Sequence, residues 1–477
     1  MGQALPTCAQ RRWLSWGVTE RRVRPQKDLL LSPILGQCRQ KRIRCTAALP
    51  CDSEPRVVSL MNRRQITAFV VLAGILLAIR WGLCFHNPEF KYVDEQWYFE
   101  IARNLVDGRG YRLDRDGPIH LAMRQSPGLP FSLSLMGYIL PLTPLTAKLL
   151  NATASWLAIL CYALAAYWLT RNLLVAMTAM FFIGLHPPFA YLSASNYPNT
   201  FQAFWLAVLV LLIVYGIVFH PDTRTTPRWG LAEGSLVGIA ALYVPTHLFL
   251  LPALAVAQFT RHFRRWLVYC IALGFGFLIP LVPWTVRNLI HEKAFIPFSI
   301  SGGLHMYLGF NSQAGANTSI FIDSSGLRPK LLNIRSAKEL ENMAKAEAVA
   351  WIKAHPADAA CLWLAKALNF FRWDNGRMGT ASEDNKPMGI LLCRATTLFV
   401  YAVFLFGCLR AFPKGRFWIV FGSLTLLLQA AGHAFFVSRY RYRLPFEPFL
   451  LFIGLTLLLS HPSAFCYGPS TKDAQDV

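Results

Sequence analysis

Four stretches of this chain, residues 151–170, 200–219, 266–283 and 417–438, contain no Asp, Glu, Lys or Arg. Each reaches the roughly 17–25 apolar residues with which an α-helix crosses the hydrocarbon of a bilayer. Backbone placed in hydrocarbon must satisfy its own N–H and C=O groups, so such runs fold as helices. The composition agrees: the chain is 54% hydrophobic and 15% charged, whereas soluble domains carry about a quarter charged residues. The expected class is an all-α polytopic membrane protein, with membrane lipids as its solvent. The net charge of +22 does not call for nucleic acid, because Lys and Arg gather in the cytoplasmic loops of membrane proteins. The 11 cysteines are scattered, with no CxxC and no Cys/His cluster at zinc spacing. Neither a disulfide framework nor a metal site is expected.

Basic connections place the helices. Arg171, Arg224/Arg228, Arg261–Arg265 and Arg410–Arg416 all read as cytoplasmic, as does Arg63-Arg64 ahead of the first apolar run. Parity then gives about ten crossings with both ends cytoplasmic, at roughly 65–86, 149–170, 174–192, 200–219, 230–244, 246–259, 266–283, 389–409, 417–437 and 444–460. Pro245 divides the fifth from the sixth. The run 129–145 is short and interrupted by Pro130, Pro141 and Pro144, so a helix on the outer leaflet is expected there. Two larger outer segments remain, 87–148 and about 284–388. In the second, Ser336 and Glu339 have capping-box spacing at the head of a helix over 337–355. Residues 358–373, with Trp363, Leu364, Leu368 and Phe371, fit a helix along the membrane surface. The chain thus divides into a tail (1–60), a first membrane module (61–283), an outer loop (284–388), the last helices (389–460) and a short end (461–477). Residues 1–60 hold 11 Lys/Arg against four Asp/Glu without periodicity. Met61-Asn62-Arg63-Arg64 reads as the true start of translation, and a basic targeting segment is the alternative.

Some charges stand where short outer connections should have none. Ser438-Arg439-Tyr440-Arg441-Tyr442-Arg443-Leu444-Pro445 precedes the last helix. If that segment is extended, alternation presents its three arginines on one side, and guanidinium groups suit phosphate oxygens bidentately. Arg80 and Arg394 lie near outer helix ends, where snorkelling to lipid phosphate is the simplest account. Arg287 follows the seventh crossing, and Glu447 falls one turn into the last helix. In the loop 90–130, Asp94 opens a helix with Trp97, Tyr98, Ile101, Ala102 and Leu105 on one face. Asp94 is either a helix cap or a carboxylate that accepts a proton, and the two roles are compatible. Arg124, Pro127-Gly128 and Pro130 form a rigid turn. Gly108-Arg109-Gly110 is a turn and not a nucleotide cradle, because GxGxxG is incomplete.

Together these motifs resemble a known family. An outer loop with Asp94-Glu95 and Tyr98, the Pro-Gly-x-Pro turn at 127–130, Pro283-Trp284-Thr285-Val286-Arg287-Asn288, Ser301-Gly302-Gly303, Ile352-Lys353-Ala354-His355-Pro356 and Arg441-Tyr442-Arg443-Leu444-Pro445 occur in order. The chain is similar, over 61–460, to the GT-C membrane glycosyltransferases of the protein mannosyltransferase and aminoarabinose transferase group. That resemblance implies a GT-C bundle with juxtamembrane helices on the outer face. It implies transfer of a monosaccharide from a polyprenyl-phosphate donor to a hydroxyl of a lipid, glycan or protein, with inversion. Asp94 then matches the family's general base, Glu95 and Tyr98 shape the acceptor side, and Arg439, Arg441, Arg443 and Arg287 meet the leaving phosphate. Arg124, Asn199 and Asn288 complete the expected substrate-binding set. Neither a cofactor nor a metal is expected. Two positions depart from the family: Asn199 stands where an acidic residue is common, and Val244 where many relatives carry a basic one. A multi-pass lipid or solute transporter and an inactive relative are the alternatives. A bacterial inner membrane, with the site on its periplasmic side, is the expected location.

Overall fold

A computed structural model describes residues 62–114, 119–223, 225–259, 262–316, 337–372 and 387–460. The expectations for the tail before Asn62, for Arg224, Arg261, Ser336 and Trp373 fall outside them. The described residues belong to one compact unit and contain helices and turns without a strand. In chain order the α-helices are α1 (Arg63–His86), α2 (Val93–Val106), α3 (Gly128–Gly137), α4 (Pro144–Thr170), α5 (Leu173–Gly184), α6 (Pro187–Ser193), α7 (Pro198–Phe219), α8 (Pro227–Tyr243) and α9 (Leu250–Ala257). They continue with α10 (Phe263–Leu278), α11 (Leu281–His291), α12 (Gly302–Gly309), α13 (Ala337–Ala354), α14 (Pro356–Phe371), α15 (Pro387–Ala411), α16 (Arg416–Ala434), α17 (Tyr440–Arg443) and α18 (Glu447–Leu459).

All ten segments expected to cross are helical. Among the described residues six helices are long and apolar enough to span a bilayer, and two bent pairs raise the number to as many as eight; this is fewer than the ten crossings expected, because α8 has 17 residues and α9 only 8. One bend, of 65°, separates α5 from α6 at His186-Pro187-Pro188; the other, of 45°, separates α10 from α11 beside Pro280. Proline causes both, since it has no N–H for the helical ladder and its ring pushes away the preceding turn. α3 is a helix of 10 residues, so at about 15 Å it is too short to cross, as the sequence implies.

The hydrophobic pattern sorts centre from rim. Residues 448–459 are apolar on nearly every face and all of 447–457 are buried, whereas in α1 only Ala73, Leu76, Arg80 and Cys84 are buried. A helix apolar all round belongs inside a bundle or in lipid; α18 takes the centre, against α4, α5, α7, α15 and α16, and α1 the rim. α8 and α10 pack backbone to backbone, because Gly230, Gly234 and Gly238 face the α10 backbone. A Cβ on Gly234 would strike the Leu273 carbonyl.

Arg80 does not snorkel. It is fully buried, its Nε donating to Ser155 Oγ at 3.0 Å and its Nη1 to the Gly184 carbonyl at 2.9 Å. Those two bonds hold the guanidinium inside the bundle, although its Nη2 has no hydrogen-bond partner among the described residues. α14 presents Leu364 and Leu368 outward while Lys366 and Asn369 are buried against the rest of the protein.

Candidate active site

The site begins with the way α2 is capped. Tyr92 is its N-cap residue in extended conformation, and Glu95 Oε2 accepts from the backbone N–H of Lys91 at 2.9 Å and of Tyr92 at 2.8 Å. This is the acidic half of a capping box. Glu95 Oε1 also accepts from Asn196 N at 2.7 Å, and Asn196 Nδ2 donates to the Glu95 carbonyl at 3.0 Å. Glu95 therefore fastens the α6–α7 connection to the first turn of α2. The capping role open to Asp94 falls to Glu95, which is 1% exposed. That geometry makes Glu95 a structural acid and not a surface that an acceptor touches.

Asp94 keeps a side chain 39% exposed, with Arg441 Nη2 3.6 Å from its carboxylate. Arg441 belongs to the single turn of α17, and its guanidinium lies over the Tyr197 ring at 5.0 Å and the Tyr442 ring at 5.2 Å. Its Nη2 donates to the Tyr442 hydroxyl at 3.3 Å. Tyr442 stacks on His433 at 4.7 Å, and His433 stacks on Phe370 at 5.8 Å. Arg124 covers the face of Trp97 at 5.5 Å; burial lowers its pKa and the nearby Asp94 opposes that shift. The Nε atoms of Arg124 and Arg441 are buried without a hydrogen-bond partner among the described residues. Arg439 lies in the same field, its pKa lowered by burial and by Arg441 and raised by Tyr442 and Asp94. Tyr98 is in the core beneath, and burial together with Asp94 raises its phenol pKa.

The structure does not bring together every residue singled out from sequence. Residues 440–443 form a helical turn, not the extended segment that alternation implies. Residues two apart on a helix are about 200° around the axis from one another, so Arg441 and Arg443 diverge. Arg443 is fully buried, with Nε donating to Glu447 Oε1 at 3.0 Å, Nη1 to the carbonyls of Phe370 at 2.8 Å and Arg372 at 3.0 Å, and Nη2 to Thr397 at 3.0 Å. Arg287 pairs with Glu292 at 2.9 Å and lies over the Tyr111 and Trp284 rings. Asn288 Nδ2 donates to the Ile296 carbonyl at 2.8 Å, and Asn199 Nδ2 to Gln202 Oε1 at 3.2 Å. Both asparagines are buried. A cleft lined by Glu89, Gln96, Phe99, Glu100 and Arg103 lies on the opposite side of α2 from Asp94, as 100° per residue requires.

His305 has no local signal in the sequence and yet enters the site. Its Nδ1 is 2.7 Å from the Ser301 carbonyl; a carbonyl only accepts, so the proton is on Nδ1 and Nε2 is an acceptor. Burial, reinforced by Arg124, pulls its pKa from 6.5 to about 4. Across that interval the unfolded chain holds more protons than the folded one, so His305 withdraws stability as pH falls from 6.5 to 4. The melting temperature in detergent should fall more steeply over this range for the wild type than for His305→Asn; parallel slopes would contradict this. Among the described residues, no group of three or more His, Cys, Asp and Glu is arranged to hold a metal ion.

No protein-family model matches the sequence, and no curated protein matches it. The fold is similar to that of ArnT from Cupriavidus metallidurans bound to undecaprenyl phosphate, at 14% identity and a TM-score of 0.44, over 83% of this chain and 78% of that one. It is also similar to the archaeal oligosaccharyltransferase AglB from Archaeoglobus fulgidus in complex with an inhibitory peptide and a dolichol-phosphate. There the identity is 15% and the TM-score 0.47, over 83% of this chain and 50% of that one. The apo form of the Archaeoglobus fulgidus oligosaccharyltransferase gives 14% and 0.48 over the same shares. The chain thus spans about half the length of the oligosaccharyltransferase. The likeness is one of chain path alone, at TM-scores of 0.44 to 0.48.

Proposed function

We propose that this chain is an integral membrane glycosyltransferase that moves a monosaccharide from a polyprenyl-phosphate donor to an acceptor hydroxyl. The observation that carries this reading is the pairing of the half-exposed Asp94 with Arg441 at 3.6 Å, beside Arg124, where both arginines hold buried Nε donors without a partner among the described residues. One carboxylate able to take a proton and two cations able to meet a phosphate occupy one end of an apolar bundle. A transporter commonly sets its polar site near the midplane on repeated broken helices, and this cluster lies at the helix ends.

The chemistry balances with these groups alone. The acceptor hydroxyl gives its proton to Asp94 as its oxygen bonds to the anomeric carbon, and the bond from that carbon to the phosphate oxygen breaks. The phosphate leaves with the electron pair, and Arg441, Arg124 and Arg439 face the charge that develops on it. One displacement inverts the anomeric centre. Tyr98 and Tyr197 wall the Asp94 side, and His305 offers a neutral acceptor to a sugar hydroxyl. The parity of the basic loops supports a site on the non-cytoplasmic face, in keeping with a bacterial inner membrane.

The test is transfer by the purified chain in lipid nanodiscs, with a panel of radiolabelled polyprenyl-phosphate sugars and mixed lipid, glycan and peptide acceptors. Arg441→Ala and Arg124→Ala should each raise KM for the donor about 10- to 100-fold, the range for a hydrogen bond to a charged group. An unchanged donor KM in both would overturn the phosphate assignment.

A further inference from the structure

Between α16 and α17 the chain leaves the helical ladder, and its carbonyls at Phe436 and Ser438 need partners from elsewhere. Both come from one face of α14. Lys366 Nζ donates to the Phe436 carbonyl at 3.1 Å and to the Gly309 carbonyl at 2.8 Å. Asn369, three residues on and so on the same face, donates to the Ser438 carbonyl at 3.0 Å and the Ala316 carbonyl at 3.2 Å. The two side chains thereby join the exit of α12, which carries His305, to the segment that delivers Arg439 and Arg441.

The junction is built around the amine. Lys366 is 1% exposed and lies over the Phe310 ring at 3.8 Å. Gly309 leaves the room for it, since a Cβ there would collide with the Phe436 carbonyl and crowd Lys366 Nζ. An ammonium group kept from water is costly unless its donors are met, and burial brings the Lys366 pKa down to about 7. Leu364 and Leu368 lie on the outer face of the same helix, where a membrane-surface helix meets lipid, while Lys366 turns inward. No stage of the proposed displacement uses this group.

We infer that Lys366 is a positioning residue for the donor side of the site, setting Arg441 and Tyr442 against Asp94 through the 436–438 segment. The inference rests on the glycosyl-transfer reading. It implies that Lys366 acts on the donor phosphate through Arg439 and Arg441, while the acceptor side, held by Glu95 and Asn196, does not depend on it.

The experiment is a double-mutant cycle on donor KM with the full chain in nanodiscs. Lys366→Met, which keeps the length of the side chain and removes its donors, should raise donor KM at least tenfold and leave acceptor KM within twofold. On an Arg441→Ala background the same change should raise donor KM by much less than it does in the wild type. Asn369→Leu should reproduce the pattern more weakly, and it replaces Lys366→Met if that variant does not fold. Donor and acceptor KM rising together, kcat falling with donor KM unmoved, or independent effects of Lys366 and Arg441 would each overturn the inference. A wild-type chain that transfers no sugar from any donor refutes the underlying reading, and the Lys366 role falls with it. An active wild type with a normal donor KM in both variants refutes the Lys366 role alone.

Discussion

Asp94→Asn is expected to lower the transfer rate at saturating donor and acceptor by about 10²–10⁴-fold, the range that a positioned general base contributes. The substitution is close to isosteric and removes the proton acceptor. It also turns the 3.6 Å contact with Arg441 from an ion pair into a contact with a neutral amide. Because Glu95 and not Asp94 caps α2, the helix should stay in place, and the melting temperature of Asp94→Asn should match the wild type. Glu95→Gln should behave in the opposite way, since its carboxylate accepts from three backbone N–H groups; stability falls and any loss of activity follows the loss of fold. Wild-type turnover by Asp94→Asn would remove Asp94 from the chemistry.

The second large effect is on stability. Glu447 is fully buried and gathers Arg443 Nε at 3.0 Å, the Tyr440 hydroxyl at 3.2 Å and His186 Nε2 at 3.0 Å. His186 Nδ1 accepts from Phe189 N at 3.2 Å, so its proton is on Nε2, the nitrogen nearer the carboxylate. Glu447→Ala leaves the Arg443 charge inside an apolar bundle without its counter-ion, and a broken buried pair costs about 3–5 kcal/mol. Thermal unfolding in detergent should register this as a large fall in melting temperature. The double variant Arg443→Met/Glu447→Leu should recover part of the loss, because no charge is then stranded. A single variant as stable as the wild type, or a double variant worse than the single, would show that the pair does not hold the α17 turn.

The two acids of the Asp94-Glu95 pair are indistinguishable by local pattern, because either fits the first turn of a helix. What separates them is Asn196, which comes from another connection and takes one oxygen of Glu95. The arginines at 439, 441 and 443 show a similar limit. Their alternation suits an extended segment, but the (i, i+4) spacing of Arg443 and Glu447, which is visible in the sequence, favours a helical turn. That turn sends Arg441 to Asp94 and Arg443 into the core. His305 and the Tyr442–His433–Phe370 stack had no sequence signal, since a lone histidine beside glycines fits many surroundings. Lys366 lies among apolar residues on a helix expected at the membrane surface, where the ordinary reading is a snorkelling amine.

By itself the sequence determined the all-α membrane class, the places of the apolar helices and the short helix at 128–137 that does not cross. These depend on local composition and periodicity, and hydrocarbon enforces them strongly, because an unpaired backbone or charged group there costs several kcal/mol. Only the tertiary structure decided which charges share a site. Arg124, Arg441 and His305 reach Asp94 from separate parts of the chain, while Arg287, Arg443, Asn199 and Asn288 find partners of their own. Such pairings follow from the way helices cross and from which carbonyls a loop leaves unmet. Neither quantity is carried by any one stretch of residues.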